Sequence, residues 1–122
     1  MTDLARLIQL AHDLKAAILE VEGDLEYRCA LATNIVCMLV PEAEHVKGTY
    51  NGEQHHYAAL AVEGELVVVD PTVGQFPDAP PVFVGTPTAA WQGASFGNTQ
   101  VPSGCNDEAV MAAMSARGWV FA

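Results

Sequence analysis

The stretch His45–Asp70, HVKGTY-NG-EQHHYAALAV-EG-ELVVVD, decides how this chain folds. Three runs of strand-favouring residues are separated by two dipeptides, Asn51-Gly52 and Glu63-Gly64. Asn-Gly is a strong short hairpin signal, because both central positions of the favoured turn need positive φ. The pattern predicts strands over 45–50, 53–62 and 65–70, and Pro71 ends the third. Consecutive strands joined this tightly form an antiparallel meander.

Upstream of the meander the period is helical. Leu4, Leu7, Ile8, Ala11, Leu14, Ile18 and Val21 mark one face of a helix from about Asp3 to Val21, with Thr2 as its expected cap. An acidic connection around Gly23 follows. CALATNIVCMLV, from Cys29 to Val40, is apolar on nearly all sides and stops at Pro41, which predicts a helix buried on most faces. Its β-branched residues leave a strand open. Downstream, Pro71 to Gly104 holds six of the seven prolines and reads as an irregular functional loop or a wrap around the sheet edge, with a short strand at Val82–Val84. NDEAVMAAMSARG reads as a last helix, capped by Asn106 or Asp107 and ended by Gly118. The final WVFA is expected to dock as a strand. The fold class is therefore α+β, with N-terminal helices packed on an antiparallel β-meander.

The chain of 122 residues is expected to be one domain, 1–122. Its net charge of −10, from 5 Lys+Arg and 15 Asp+Glu, argues against nucleic-acid or anionic-membrane partners, since Arg6, Lys15, Arg28, Lys47 and Arg117 are scattered singly. No apolar run approaches the roughly 20 residues of a membrane span. The charged N-terminal region does not read as a signal peptide, and three cysteines is an odd count. A reducing, cytoplasmic setting with free thiols is expected. On one helix Cys29 and Cys37 would lie about 12 Å apart, beyond the roughly 7 Å reach of a disulfide.

Three chemical features occur in order. Cys29 opens the second helix, where the positive end of the helix dipole favours thiolate. His55 and His56 lie in the strand after the tight turn, and an imidazole there stabilises a thiolate and donates a proton to a leaving amine. Asp70 ends the next strand, where a carboxylate fixes the imidazole tautomer. Adjacent strand residues point to opposite sides, so only one of the two histidines faces the helix. Asp70 before Pro71 also suits a turn in which the carboxylate bonds nearby backbone N–H groups. Cys37 and the Met111/Met114 pair read as core, and Cys105 as an incidental loop or helix-start thiol. Trp91, Trp119, Phe83, Phe96 and Phe121 read as core or loop anchors. His12 and His45 are expected to face solvent. Glu53, His55, His56 and a cysteine are a conceivable zinc set, but no C-x-x-C or H-x-x-x-H spacing supports a metal, and no phosphate loop or dinucleotide fingerprint is present. No cofactor is expected.

HHYAALAVEGELVVVDPTVGQF resembles the His–Asp hairpin of papain-like and transglutaminase-like cysteine enzymes, in which a Cys-led helix precedes His-x-(Trp/Tyr), a strand and Asp-Pro-Thr. The resemblance covers about Gly23 to Phe76. It implies a papain-like or transglutaminase-like core, with Cys29 as nucleophile, His55 as general acid–base because Tyr57 falls at the aromatic position, and Asp70 as the orienting carboxylate. The implied activity is acyl transfer from an amide of a peptide or protein through a Cys29 thioester. The alternative is a catalytically inactive binding or regulatory protein on the same fold. The chain departs from the family in having Glu-Tyr-Arg before Cys29 and Gly23 where the papain type has its upstream glutamine. The backbone N–H of Cys29 supplies one oxyanion donor, and a second is unassigned.

Overall fold

The structure is a computed structural model and describes residues 3–121. It begins with helix α1, Leu4–Glu22, whose buried stripe is Leu7, Leu10, Ala11, Leu14, Ala17 and Ile18. Thr2 lies outside the described residues. The Asp3 side chain caps the helix by accepting the backbone N–H of Arg6 at 2.8 Å. Gly23 ends it at φ 87°, with its N–H donated to the Leu19 carbonyl. Helix α2, Cys29–Leu39, buries seven consecutive residues from Leu31 to Cys37. It is a helix, not the strand its β-branched residues allowed.

The meander forms as expected: β1 is Glu44–Tyr50, β2 is Glu53–Val62 and β3 is Glu65–Asp70. Both connecting turns have positive φ at each central residue: 48° and 85° at Asn51-Gly52, and 52° and 81° at Glu63-Gly64. A short 3₁₀ turn follows at Val73–Gln75. The proline-rich segment then supplies an edge strand on each side. Strand β4, Phe83–Gly85, pairs with β3, and β5, Trp91–Ser95, pairs with β1. The antiparallel sheet runs β4-β3-β2-β1-β5. At the β1–β5 seam Gly48 faces Gly93, and a Cβ on Gly48 would lie 1.9 Å from the Gln92 carbonyl oxygen. Only glycine admits that approach.

The three helices share one core with a single sheet face, formed by Ala58, Leu60, Val67 and Val69. Each buried Leu or Ile in it contributes about 1.5–3 kcal/mol of transfer free energy. The opposite face carries Val46, Tyr50, Tyr57, Ala59, Val68 and Trp91, covered in part by Val73, Phe76 and Ala79. Helix α3, Asp107–Ala116, is capped by Asn106, whose side chain accepts the Ala109 N–H.

Residues 119–121 form no strand, contrary to expectation. Trp119 is held on α1 instead. Its indole N–H donates to Asp13 at 2.9 Å, and the Arg6 guanidinium sits 3.9 Å from the ring centroid. These contacts draw the C-terminus onto the helical layer and away from the sheet edges. Among the described residues no helix is long and apolar enough to cross a membrane.

Candidate active site

Cys29, His55 and Asp70 come together at the end of the sheet where β3 stops. Asp70 is the last residue of β3 and is fully buried. Its Oδ2 lies 2.7 Å from His55 Nε2. The same oxygen accepts the indole N–H of Trp91 at 2.8 Å. The carboxylate bonds no backbone N–H, so the turn-forming role open to an Asp-Pro pair is not the one it takes; Oδ1 is buried without a partner.

His55 is 1% exposed. Its ring packs edge-on to Phe76 at 5.0 Å between centroids and lies between Tyr50 and Tyr57. With Nε2 engaged by Asp70, Nδ1 is the ring atom left for Cys29. It is buried, and no hydrogen bond of full geometry is made to it. Burial alone would favour the neutral ring. The hydrogen bonds and charges of Asp70 and Cys29 outweigh it and raise the pKa to about 9. Burial likewise pushes the Cys29 thiol up. The His55 imidazole and the backbone N–H groups of His56 and Ala30 more than offset this and hold the thiol below its ordinary value. The pair therefore favours thiolate and imidazolium together.

The local chain explains the cysteine's position. Arg28 is tethered to Glu22 and Asp24, each at 3.6 Å, which closes the connection from α1. Tyr27 adopts φ 62°, a left-handed conformation unusual for an aromatic residue, just before the helix starts. The first α2 hydrogen bond runs from Ala32 N–H to the Arg28 carbonyl, so the N–H groups of Cys29 and Ala30 remain free to face an anion. Thr33 Oγ1 donates to the Cys29 carbonyl at 2.8 Å.

The two histidines do point to opposite sides, but the geometry differs from a histidine facing a helix. His55 stands on the face of Tyr50 and Trp91, away from the helices. His56 stands on the helical side, with Nδ1 2.7 Å from His45 Nε2. Cys29, the first residue of α2, and His55, near the start of β2, line one cleft. His45 is completely buried, not solvent-facing, and stacks on Phe96 at 4.9 Å. It does so because its strand partner, Ala58, lies on the core face.

Cys29, His55 and His56 line a cleft of about 310 Å³, whose rim includes Tyr27, Lys47 and Gln54. Cys37 and Cys105 are elsewhere. Burial pushes Cys37 up to about 11, and burial also raises Cys105, which sits beside Glu22. All three thiols are free. Among the described residues no three His, Cys, Asp or Glu side chains converge to hold a metal ion. Trp91 carried no sequence signal beyond its aromatic character, and its bond to Asp70 arises from a strand pairing distant in sequence. No family model, curated protein or solved structure gives a significant match to the chain.

Proposed function

We propose that this protein is a cysteine acyl-transfer enzyme of papain-like or transglutaminase-like core, acting on an amide bond of a peptide or protein. The observation that carries the reading is the buried 2.7 Å pair of His55 Nε2 and Asp70 Oδ2 beside a thiol at a helix N-terminus. A thiolate nucleophile needs an imidazolium beside it.

In this reading the Cys29 thiolate attacks the amide carbonyl carbon. The developing oxyanion is met by the backbone N–H of Cys29, and the Gln54 amide on the same cleft is available as a second donor. His55 gives its Nδ1 proton to the leaving amine, and Asp70 holds the ring through Nε2. The resulting thioester passes its acyl group to water or to an amine. A reducing compartment suits a catalytic thiol.

The test is iodoacetamide labelling against pH, read by mass spectrometry for each cysteine. Cys29 is expected to label fast well below the pKa of about 8.5 of a free cysteine. His55→Ala is expected to return its profile toward that value. Slow labelling of Cys29, unchanged by His55→Ala, would remove the enzyme reading and leave a binding protein.

A further inference from the structure

We propose that the cleft takes an amide substrate carrying a carboxylate within about two residues of the scissile bond, and that Lys47 is the residue that reads it. The inference deepens the acyl-transfer reading above, on which it rests, by giving the substrate a charge.

The chain has five Lys and Arg residues against 15 Asp and Glu. Four of the cations are engaged within the protein. The Arg6 guanidinium sits over the Trp119 ring, and Lys15 donates to the Pro81 carbonyl. Arg28 pairs with Glu22 and Asp24, and Arg117 with Glu20. Among the described residues, Lys47 is the one whose ammonium has neither a hydrogen bond nor an ion pair. It is exposed and lines the cleft with Cys29.

Among the described residues, no Asp or Glu lines that cleft. Glu53 precedes Gln54 on β2 and therefore points to the opposite face. Glu44 lies on the opposite face of β1 from Lys47 and accepts the Ser95 hydroxyl at 2.7 Å. Glu26 lines a separate hollow with Asp24 and Leu25. Asp70 is buried and turned to His55. The Cys29 thiolate and the His55 imidazolium cancel, while burial, then Lys47 and His55, keep His56 neutral. Lys47 is left as the net charge of the cleft. An uncompensated cation in a cleft focuses its field on what enters there. The acidic exterior does not cancel it, because exposed charges more than about 8 Å away are largely screened at physiological ionic strength.

Strand register fixes where the substrate's charge must lie. Lys47 stands opposite His56. Gln54, available as the second oxyanion donor, is two residues before His56 on the same face. Lys47 and Gln54 are thus diagonal neighbours, about 7–8 Å apart. An extended peptide covers that distance in about two residues. Tyr27, 78% exposed on the rim, offers an aromatic wall to the methylene groups between carbonyl and charge. A glutamyl side chain and a free C-terminal carboxylate both meet this description.

The experiment first reads charge at Cys29. Iodoacetate and iodoacetamide deliver the same electrophilic carbon and differ by one negative charge. The ratio of their rates at Cys29, followed by mass spectrometry at pH 6.5, therefore cancels any change in thiolate fraction. Lys47→Gln is expected to lower that ratio about five- to ten-fold, the scale of one charge in a half-solvated cleft. Lys47→Glu is expected to lower it further, with the ratio at Cys105 as the reference. The substrate class is then read from protection of Cys29 against iodoacetamide. Acetyl-Ala-Glu-Ala-amide is compared with its Gln counterpart, and acetyl-trialanine with its C-terminal amide. Better protection by the glutamyl peptide assigns a side-chain carboxylate, and better protection by acetyl-trialanine assigns a chain terminus. Either advantage is expected to vanish in Lys47→Gln. A ratio within two-fold of wild type in both Lys47 variants overturns the proposal. So does protection no better from either carboxylate peptide than from its amide counterpart. A Cys29 that labels slowly with both reagents and ignores His55→Ala fails the acyl-transfer reading itself, which is a distinct outcome.

Discussion

Asp70 Oδ2 receives two donors on one face of the sheet, the imidazole of His55 on β2 and the indole of Trp91 on β5. A hydrogen bond to a charged group is worth about 1.5–3 kcal/mol, and the loss is felt fully when the acceptor is buried. Trp91→Phe keeps most of the packing against Phe83 and Tyr50 and deletes one donor. It is expected to lower stability by about that amount and to slow Cys29 alkylation at pH 6 several-fold. Asp70→Asn, which deletes the charge itself, is expected to slow it more. Denaturant titration and timed alkylation check the order, and equal alkylation rates in all three proteins would separate the carboxylate from the thiol.

The three thiols are expected to react in a fixed sequence. Cys29 has the lowered pKa, Cys105 is partly exposed with a raised one, and Cys37 is both buried and pushed up to about 11. Brief alkylation at pH 6.5 should modify Cys29 almost alone, Cys105 should follow at alkaline pH, and Cys37 should wait for denaturant. Peptide mapping of a time course reads the order directly. Early labelling of Cys37 would mean that α2 opens locally.

The legible parts of the fold were those whose signals are local. Runs of strand-favouring residues, punctuated by Asn51-Gly52 and Glu63-Gly64, mark strands and turns together. Pro41 and the all-apolar run set the extent of α2. Strand β5 was illegible because it is an edge strand whose residues after Trp91 are all exposed, so no alternation marks it, and its docking depends on a glycine contact with β1. The expected closing strand at residues 119–121 fails for a related reason. An apolar tail can satisfy itself on a helix as well as on a sheet, and Asp13 and Arg6 decide for the helix. At the site, the order Cys29, His55, Asp70 is visible in the chain. Which side each histidine takes is not, because both faces of β2 are buried and only the strand register, with Ala58 on the helical face and Tyr57 on the other, decides it.

Asn34 shows how the irregular C-terminal half is fixed to the helices. It is 1% exposed, donates to the Val101 carbonyl at 2.8 Å and to Asp107 at 3.2 Å, and accepts the Val101 N–H at 2.9 Å. Asn34→Ala strands backbone groups of residue 101 as well as leaving a gap. It is expected to destabilise the protein by about 1–3 kcal/mol, the range for a buried polar group losing its partners. Because Asn34 lies more than a turn inside α2 from Cys29, the Cys29 labelling profile of the folded variant should match wild type. Urea unfolding with labelling in the folded baseline tests both halves of the statement.

Acid should weaken the fold before most carboxylates titrate, through His45. Burial, and then the neighbouring His56, lower its pKa from 6.5 to about 4. The unfolded chain therefore binds a proton on this residue between pH 6.5 and 4 that the folded protein refuses. Stability rises with pH wherever the unfolded state holds more protons, so the contribution is fully present above pH 6.5 and is lost as pH falls toward 4. His56, also lowered, acts in the same direction. His55 does not oppose them in this window. Its pKa is raised to about 9, so its stabilising proton is present in the folded state throughout, and its contribution declines only as pH rises from 6.5 toward 9. Urea midpoints are therefore expected to fall steadily from pH 6.5 to 5. In His45→Gln the midpoint at pH 7 should be lower, because the ring stacked on Phe96 is gone, but its decline between pH 6.5 and 5 should be shallower. Parallel declines in the two proteins would mean that His45 takes up its proton inside the fold without cost, and that the His45–His56 bond tolerates a charge.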